Sequence, residues 1–367
     1  MPLLLLFALA LLLNGCSLQS EAPEPGKAPG ITASWAPDGF LRADQAREFR
    51  FPADHGPHQG YRTEWWYVTG NLEAPDKRPF GYQITLFRIA LTPETPDNSS
   101  SEWRASHIWM AHLALTDAQA GIHHHQERFA REAVGLAGAL SEPLRIWVED
   151  WKLYRNNPQT PWQLSAGTDR FNLDLKLKPI REPILQGENG LSRKGSEVGN
   201  ASYYYSVTRL ETSGTLTLDS ERIELKGLSW LDREWSTSAL GEDQAGWDWF
   251  SLQLDDGSDI MFYRLREKSG ESSPQSAGSV LNANGRLLKL NADDVVLTAR
   301  RWWKNATGAR YPVAWELYIK PLQRRFAVEA TLDDQEMDLS VRYWEGAVSI
   351  TEAGVKAGLG YLEMTGY

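Results

Sequence analysis

Apolar and polar residues alternate along most of this chain in short runs, and turn-forming residues break the runs apart. Alternation with a period of two predicts half-buried β-strands. The densest run is Thr63-Glu64-Trp65-Trp66-Tyr67-Val68-Thr69-Gly70-Asn71-Leu72. One face of that strand carries Glu64, Trp66, Val68, Gly70 and Leu72; the other carries Thr63, Trp65, Tyr67, Thr69 and Asn71. The first face is the more apolar, so it is placed inward. Ala74-Pro75-Asp76-Lys77 predicts a hairpin turn into a second strand over 79–91. Further strands are predicted over 103–117, 146–154, 162–166, 171–179, 203–210, 215–218 and 223–235, with 211–214 as a turn. A second set is predicted over 246–254, 260–266, 295–303, 314–321, 326–332 and 340–350. A short helical turn is expected at 43–47, with a strand from Glu48, and a helix at 126–133. The polar, Gly-rich stretch 182–200 reads as a long loop of the kind that covers a binding site. The pattern is all-β and antiparallel.

Composition agrees with it. The 367 residues suffice for about two ordinary domains. Hydrophobic residues at 42% and charged residues at 23% fit a globular protein. Sixteen tryptophans and 13 tyrosines favour β-structure, and most of them are expected to be packing. The net charge of −10 argues against nucleic acid, whose phosphates it would repel. Leu3 to Leu13 is an apolar run of signal-peptide length ending in Leu13-Asn14-Gly15-Cys16, which resembles a bacterial lipobox. Cys16 is the only cysteine, so it is the expected lipidation site and no intramolecular disulfide can form. Residues 17–30, rich in Pro, Glu, Ala and Gly, read as a tether. These features predict a protein anchored by lipid to the periplasmic side of the cell envelope, at the outer membrane, with a secreted soluble form as the alternative.

Candidate chemistry concentrates in a few places. Glu64 lies at the end of an apolar face, where a carboxylate must find a partner or take up a proton. Two readings stand: a buried ion pair with Arg62 or another basic group, or a catalytic acid. His55-Gly56-Pro57-His58 precedes it as a fixed turn. Asp232 and Glu234 share a strand face with Leu228 and Trp230. Asp248 shares one with Phe250, Leu252 and Leu254. Glu64-Trp65-Trp66-Tyr67-Val68 also aligns with Asp248-Trp249-Phe250-Ser251-Leu252, and each leads through a turn into a strand ending in arginine, Arg88 or Arg266. That faint repeat predicts two barrels of related design, each with an inward acid. Metal ligation is not predicted: His123-His124-His125 is read as a surface loop, and Gly56-Pro57 holds His55 and His58 in a turn. No G-x-S-x-G or H-E-x-x-H motif occurs.

Several motifs together resemble the AttH-like, lipocalin-type family related to CrtC carotenoid hydratases, often labelled secreted hydrolases. They are His55-Gly56-Pro57-His58, the run Thr63 to Leu72, Tyr203-Tyr204-Tyr205-Ser206-Val207-Thr208-Arg209-Leu210, Asp232-Arg233-Glu234-Trp235, Gly246-Trp247-Asp248-Trp249-Phe250 and the C-terminal Gly360-Tyr361-Leu362-Glu363-Met364-Thr365-Gly366-Tyr367. The resemblance implies two lipocalin-like antiparallel β-barrels in tandem, over 35–236 and 237–367, after a signal peptide (1–15) and a lipidated tether (16–34). It also implies association with an ABC transporter of the AttEFG type.

Two functional expectations follow. The first is a lipoprotein that binds a hydrophobic lipid or isoprenoid-like ligand beside such a transporter. The second is a hydratase or isomerase, a hydro-lyase needing no cofactor, that protonates an isoprenoid-like double bond. A buried carboxylic acid has a raised pKa and can deliver that proton, and aromatic faces stabilise the cation formed. The acid candidates are Glu64, Asp248, Asp232 and Glu234. The ligand-binding candidates are His55, His58, Trp65, Tyr67, His107, Tyr204, Trp247 and Trp249. A wide lumen reached by an acid would favour the enzyme, a wide lumen without one the carrier, and filled barrels a purely structural role.

Overall fold

The computed structural model describes residues 39–93, 105–238 and 240–367. The signal segment, Cys16 and the tether lie outside the described residues. Two antiparallel sheets account for nearly everything else. The first contains β1 (Thr63–Glu73), β2 (Pro79–Ala90), β3 (His107–Asp117), β4 (Ile122–Arg131), β5 (Ala137–Ser141), β6 (Leu144–Val148), β7 (Trp151–Arg155), β8 (Trp162–Gly167), β9 (Phe171–Pro179), β10 (Ile184–Leu185), β11 (Leu191–Arg193), β12 (Ala201–Leu218) and β13 (Glu221–Ser236). The second contains β14 (Gln244–Leu254), β15 (Asp259–Glu267), β16 (Ala277–Leu281), β17 (Leu287–Asn291), β18 (Val295–Lys304), β19 (Arg310–Ile319), β20 (Arg324–Ala330), β21 (Glu336–Asp338), β22 (Arg342–Glu352) and β23 (Val355–Thr365). In the first sheet β13 joins β1 to β12, so the chain curls back on its first strand; in the second, β23 likewise returns beside β14. Each sheet is barrel-like, as the faint repeat and the family resemblance imply.

Tertiary pairing overrides local preference in several places. The helix expected at 126–133 is strand: residues 122–131 pair along all of β3, from Asp117↔Ile122 to Ile108↔Arg131. Helix propensity is a weak prior against a ladder of that length. The histidine run therefore lies in β4 and not on a loop. The region expected to hold a helical turn and then a strand contains neither before β1; its one regular feature is a 3₁₀ turn at Ala53–His55. The stretch 146–154 is split between β6 and β7, turning at Glu149, whose φ is +56°. Residues 211–214 do not turn, because β12 continues between β9 and β13. Gly214 permits close approach there: a Cβ would lie 2.1 Å from the carbonyl oxygen of Asp174.

The inward face of β1 is as expected. Trp66, Val68 and Leu72 join one core with Ile84, Leu86, Trp109 and Leu113. Trp66 stacks on Trp109 at 6.1 Å between ring centroids. Phe250, Leu252, Trp315, Trp344 and Met364 pack the second barrel. Side chains thus pack both interiors, apart from a cavity at one end of the first. The outward faces are buried as well, because the two sheets pack on one another. Tyr67, Tyr204 and Trp230 of the first meet Trp249, Met261, Tyr263, Ala347 and Tyr361 of the second.

The two inward acids have the same design. Glu64, with no exposure, is ion-paired with Arg88 and Arg233 and accepts the backbone N–H of His58 at 3.0 and 3.1 Å. Burial raises its pKa, but Arg233, Arg88 and His58 overcome that and hold the carboxyl well below the usual range. Asp248, also fully buried, pairs with Arg264 at 2.6 Å and Arg266 at 3.4 Å and accepts the Tyr367 hydroxyl at 2.6 Å. The register places Glu64 opposite Arg88 and Asp248 opposite Arg264, so the repeat is aligned through Arg264 and not Arg266. Glu64 does not fit the proton-donor role expected for it, since two guanidiniums keep it ionised. Asp248 is likewise locked among two guanidiniums and a phenol, inside a filled barrel.

Removing the Glu64 charge leaves Arg88 and Arg233 buried without a counter-ion. Glu64→Gln is therefore expected to cost about 3–5 kcal/mol of stability at neutral pH, measured by urea unfolding. The Glu64 carboxyl is depressed in the fold, so its contribution is full above the ordinary glutamate pKa and is lost as pH falls through the folded value. The cost of the substitution should shrink on acidification; a cost independent of pH would remove this account.

Candidate functional site between the two sheets

Alternation on strands β1, β12 and β13 sends one set of side chains outward together. Register pairs Trp65 with Glu234, Tyr67 with Asp232, and Tyr204 with Glu234. On the facing sheet Trp249 pairs with Glu363, and Glu363 with Glu345. The result is a layer of carboxyl groups among tryptophan and tyrosine rings, closed from both sides.

Asp232 is 3% exposed. It accepts the Tyr204 hydroxyl and the Trp230 indole N–H, the latter at 2.7 Å. Burial pushes its pKa up to about 7, against the pull of Ser206, Tyr204 and Trp230 and with a further push from Glu234. Glu363 is half-buried and accepts the Trp247 indole N–H at 2.7 Å. Burial, with the charges of Asp232 and Glu234, raises it to about 7 as well. Glu345 is 1% exposed and accepts the Tyr67 hydroxyl, while its Oε2 has no partner among the described residues. Burial and neighbouring Glu363 lift it well above the usual carboxylate range. Glu234 differs: it pairs with Lys194 at 3.0 Å and accepts the Ser202 hydroxyl.

The aromatic rings interlock. Trp249 donates to the Tyr204 hydroxyl at 3.1 Å and meets Tyr67 edge-on at 5.1 Å. Lys194 lies 4.2 Å from the Tyr263 ring centre. It comes from the stretch 182–200 expected to cover a site, which β10 and β11 tie to β12. Trp65, Trp247 and Glu363 are half-buried, so the layer reaches the surface at their edge.

Seven of the residues singled out from sequence therefore meet here: Asp232, Glu234, Trp65, Tyr67, Tyr204, Trp247 and Trp249. Glu64 and Asp248 do not; each points into its own barrel. His55 and His58 are also interior supports. His55 bonds the Tyr205 hydroxyl at 2.7 Å, and burial with the nearby charges of Arg155 and Arg233 lowers it to about 3, so it is neutral. His58 bonds Asp54 at 2.9 Å and stacks on Trp235 at 3.7 Å. His107 pairs with Glu132 at 2.6 Å, away from this layer. Sequence reasoning missed Glu345, Glu363 and Lys194. Glu345 and Glu363 had a readable signal, an acid set among the aromatics of Tyr343-Trp344-Glu345 and Tyr361-Leu362-Glu363.

This layer can exchange protons near neutral pH. A carboxyl poised near 7 is an effective general acid, and an ionised neighbour is a base. Among the described residues no cluster of three or more His, Cys, Asp or Glu has the arrangement of a metal site.

A family model described as AttH-like matches residues 42–367. The solved structure of an AttH-like protein from Nitrosomonas europaea is 37% identical, covers 89% of this chain and 100% of its own, and has a TM-score of 0.81. Kievitone hydratase from Nectria haematococca shares the fold, with a TM-score of 0.65 over 93% of this chain and 98% of that one, at 16% identity. In sequence, kievitone hydratase of Fusarium solani subsp. phaseoli is 21% identical over 176 residues. That match spans 47% of this chain and 49% of the relative, about half of each.

Asp232 and Glu363 bind protons on folding, because their folded pKa values near 7 exceed those of an unfolded chain. Between those values the native state holds more protons, so both groups make stability fall as pH rises toward 7. Asp232→Asn should flatten this decline and raise the unfolding midpoint at pH 8 relative to wild type. The infrared band of protonated carboxyl groups should lose intensity as pH rises through about 7, and should lose part of that change in the variant.

Proposed function

Because the chain belongs to the AttH-like family, we propose that it is a hydratase, or a hydro-lyase run in reverse, acting on an isoprenoid-like double bond between its two barrels. The observation that carries this reading is the pair of carboxyls, Asp232 and Glu363, raised to about 7 among Trp230, Trp247, Trp249, Tyr67 and Tyr204. The hydratase name of a sequence relative supports the class of reaction.

The chemistry follows from what these groups can do. A protonated carboxyl gives its proton to the less substituted alkene carbon, and the π pair forms the new C–H bond. Positive charge develops on the other carbon, where ring faces stabilise it without forming a bond. Water supplies the C–O bond, and its surplus proton passes to a carboxylate of the same layer. Glu363 is the half-buried acid and so the one an entering substrate reaches first; Asp232 lies deeper, held by Tyr204 and Trp230. Glu234, paired with Lys194 at 3.0 Å, is a neighbouring carboxyl of that layer. Lipid attachment through Cys16 would place this reaction beside a membrane, where apolar alkenes concentrate.

The test is incubation of the protein with a panel of isoprenoid alkenes in heavy-oxygen water, followed by mass spectrometry for a labelled alcohol. Glu363→Gln and Asp232→Asn should each lower kcat by about 10²–10⁴ with the fold intact, the range for loss of a general acid or base. Glu345→Gln should also slow the reaction if Glu345 shares the proton. If both single variants turn over at the wild-type rate, the layer is structural and the proposal fails.

A further inference from the structure

A separate cavity of about 290 Å³ lies at one end of the first barrel. Arg88, Trp109, His107, Glu132, Ala139 and Trp147 are among the residues lining it. It belongs to the inward side of the sheet, whereas the acid layer lies on the outward side.

Two of its wall residues carry unused donors. Arg88 is 1% exposed; its Nε is bound to Glu64, and its Nη2 donates to the carbonyls of His58 and Tyr61 at 2.8 and 2.9 Å. Its Nη1 has no partner among the described residues. Trp109 is 2% exposed, and its indole Nε1 has none either. A buried donor left unpaired is costly, and two on the wall of one cavity point to an acceptor that completes them. The acid in the wall, Glu132, is already engaged: it accepts from the Ser106 backbone at 2.9 Å and its hydroxyl at 2.5 Å, and bonds His107 at 2.6 Å. Arg88 and Arg233 share the single negative charge of Glu64, so the excess positive charge lies on the Arg88 side of the cavity, while Glu132 carries its own negative charge beside His107.

Part of the wall is apolar, formed by Ala137, Ala139 and Trp147. Ala137 and Ala139 line the cavity, and the residues beside them, Leu136 and Leu140, are 46% and 48% exposed. Val134, beside lining Gly135, is 51% exposed. Apolar wall residues beside buried donors make an amphipathic site.

We propose that this end of the first barrel binds an amphipathic monocarboxylic acid, its carboxylate on Arg88 Nη1 and Trp109 Nε1 and its apolar body against Ala137, Ala139 and Trp147. The site does not depend on the reaction proposed for the acid layer. Octanoate is the probe, octan-1-ol its neutral counterpart, and isothermal titration calorimetry of the whole protein the measurement. Octanoate should bind one to one and octanol at least about ten-fold more weakly, the least difference expected for charged recognition. Trp109→Phe, which removes one donor and keeps a ring, should weaken octanoate by about ten-fold. Ala139→Trp should fill the cavity and abolish binding. Asp232→Asn should leave octanoate binding unchanged. Circular dichroism establishes that each variant is folded, and the octanol comparison on wild type needs no variant. Failure of octanoate to bind, equal binding of octanol, or undiminished binding to folded Ala139→Trp would each overturn the proposal.

Discussion

Residues 64–72 of β1 and 229–236 of β13 are largely buried on both faces, and the character of the acid layer and of the ion pair behind it follows from that. Their inward side chains fill the first barrel; their outward ones are pressed against the second sheet. The packing is close enough that a Cβ on Gly81 would sit 2.7 Å from that of Ala347. Neighbouring residues on one strand therefore go to two different places, each shielded from bulk water. Arg233 points in, while Asp232 and Glu234 point out. Every buried ionisable group on these stretches must be paired or protonated.

Carboxyl groups in equally dry surroundings then take opposite states according to their partners. Glu64 meets two guanidiniums and stays ionised; the pair works as an internal clamp. Asp232 meets a phenol and an indole, neutral donors that only partly offset the loss of hydration. Glu363 has an indole donor and acidic neighbours. Burial alone therefore does not identify a reactive acid. The separating feature is whether the donors around it carry charge.

The alternation made much of this legible in the sequence. It showed the all-β pattern, the inward face of β1, and the common face of Asp232 and Glu234. It also hinted that Glu64 and Asp248 play the same part in two barrels, which the matched arginine pairs bear out. It could not show which carboxyl was reactive. The partner that decides the state of Glu64 is Arg233, 169 residues away. Glu345 and Glu363 come from the last two strands and approach Tyr67 and Asp232 only because the sheets stack face to face. Local periodicity reports which face a residue occupies, and is silent on what that face meets. The misread helix at 126–133 has the same origin, since only the pairing of β4 with β3 makes it a strand.

The clamp and the acid layer are nevertheless one construction. Arg233 does more than neutralise Glu64: its Nη1 donates to the carbonyls of Trp65 and Glu234 at 3.2 Å, and its Nη2 to that of Gly56 at 2.6 Å. Those bonds fix the backbone of β1 and β13 at the point where Trp65, Asp232 and Glu234 leave on the other side. A proton-donating carboxyl works only when held within a fraction of an ångström of its acceptor, and loops rarely supply such precision. Here a buried ion pair supplies it from behind the sheet. Glu64, the residue whose position first suggested an acid catalyst, thus serves the proposed chemistry by remaining charged and by holding in place the acids that are not.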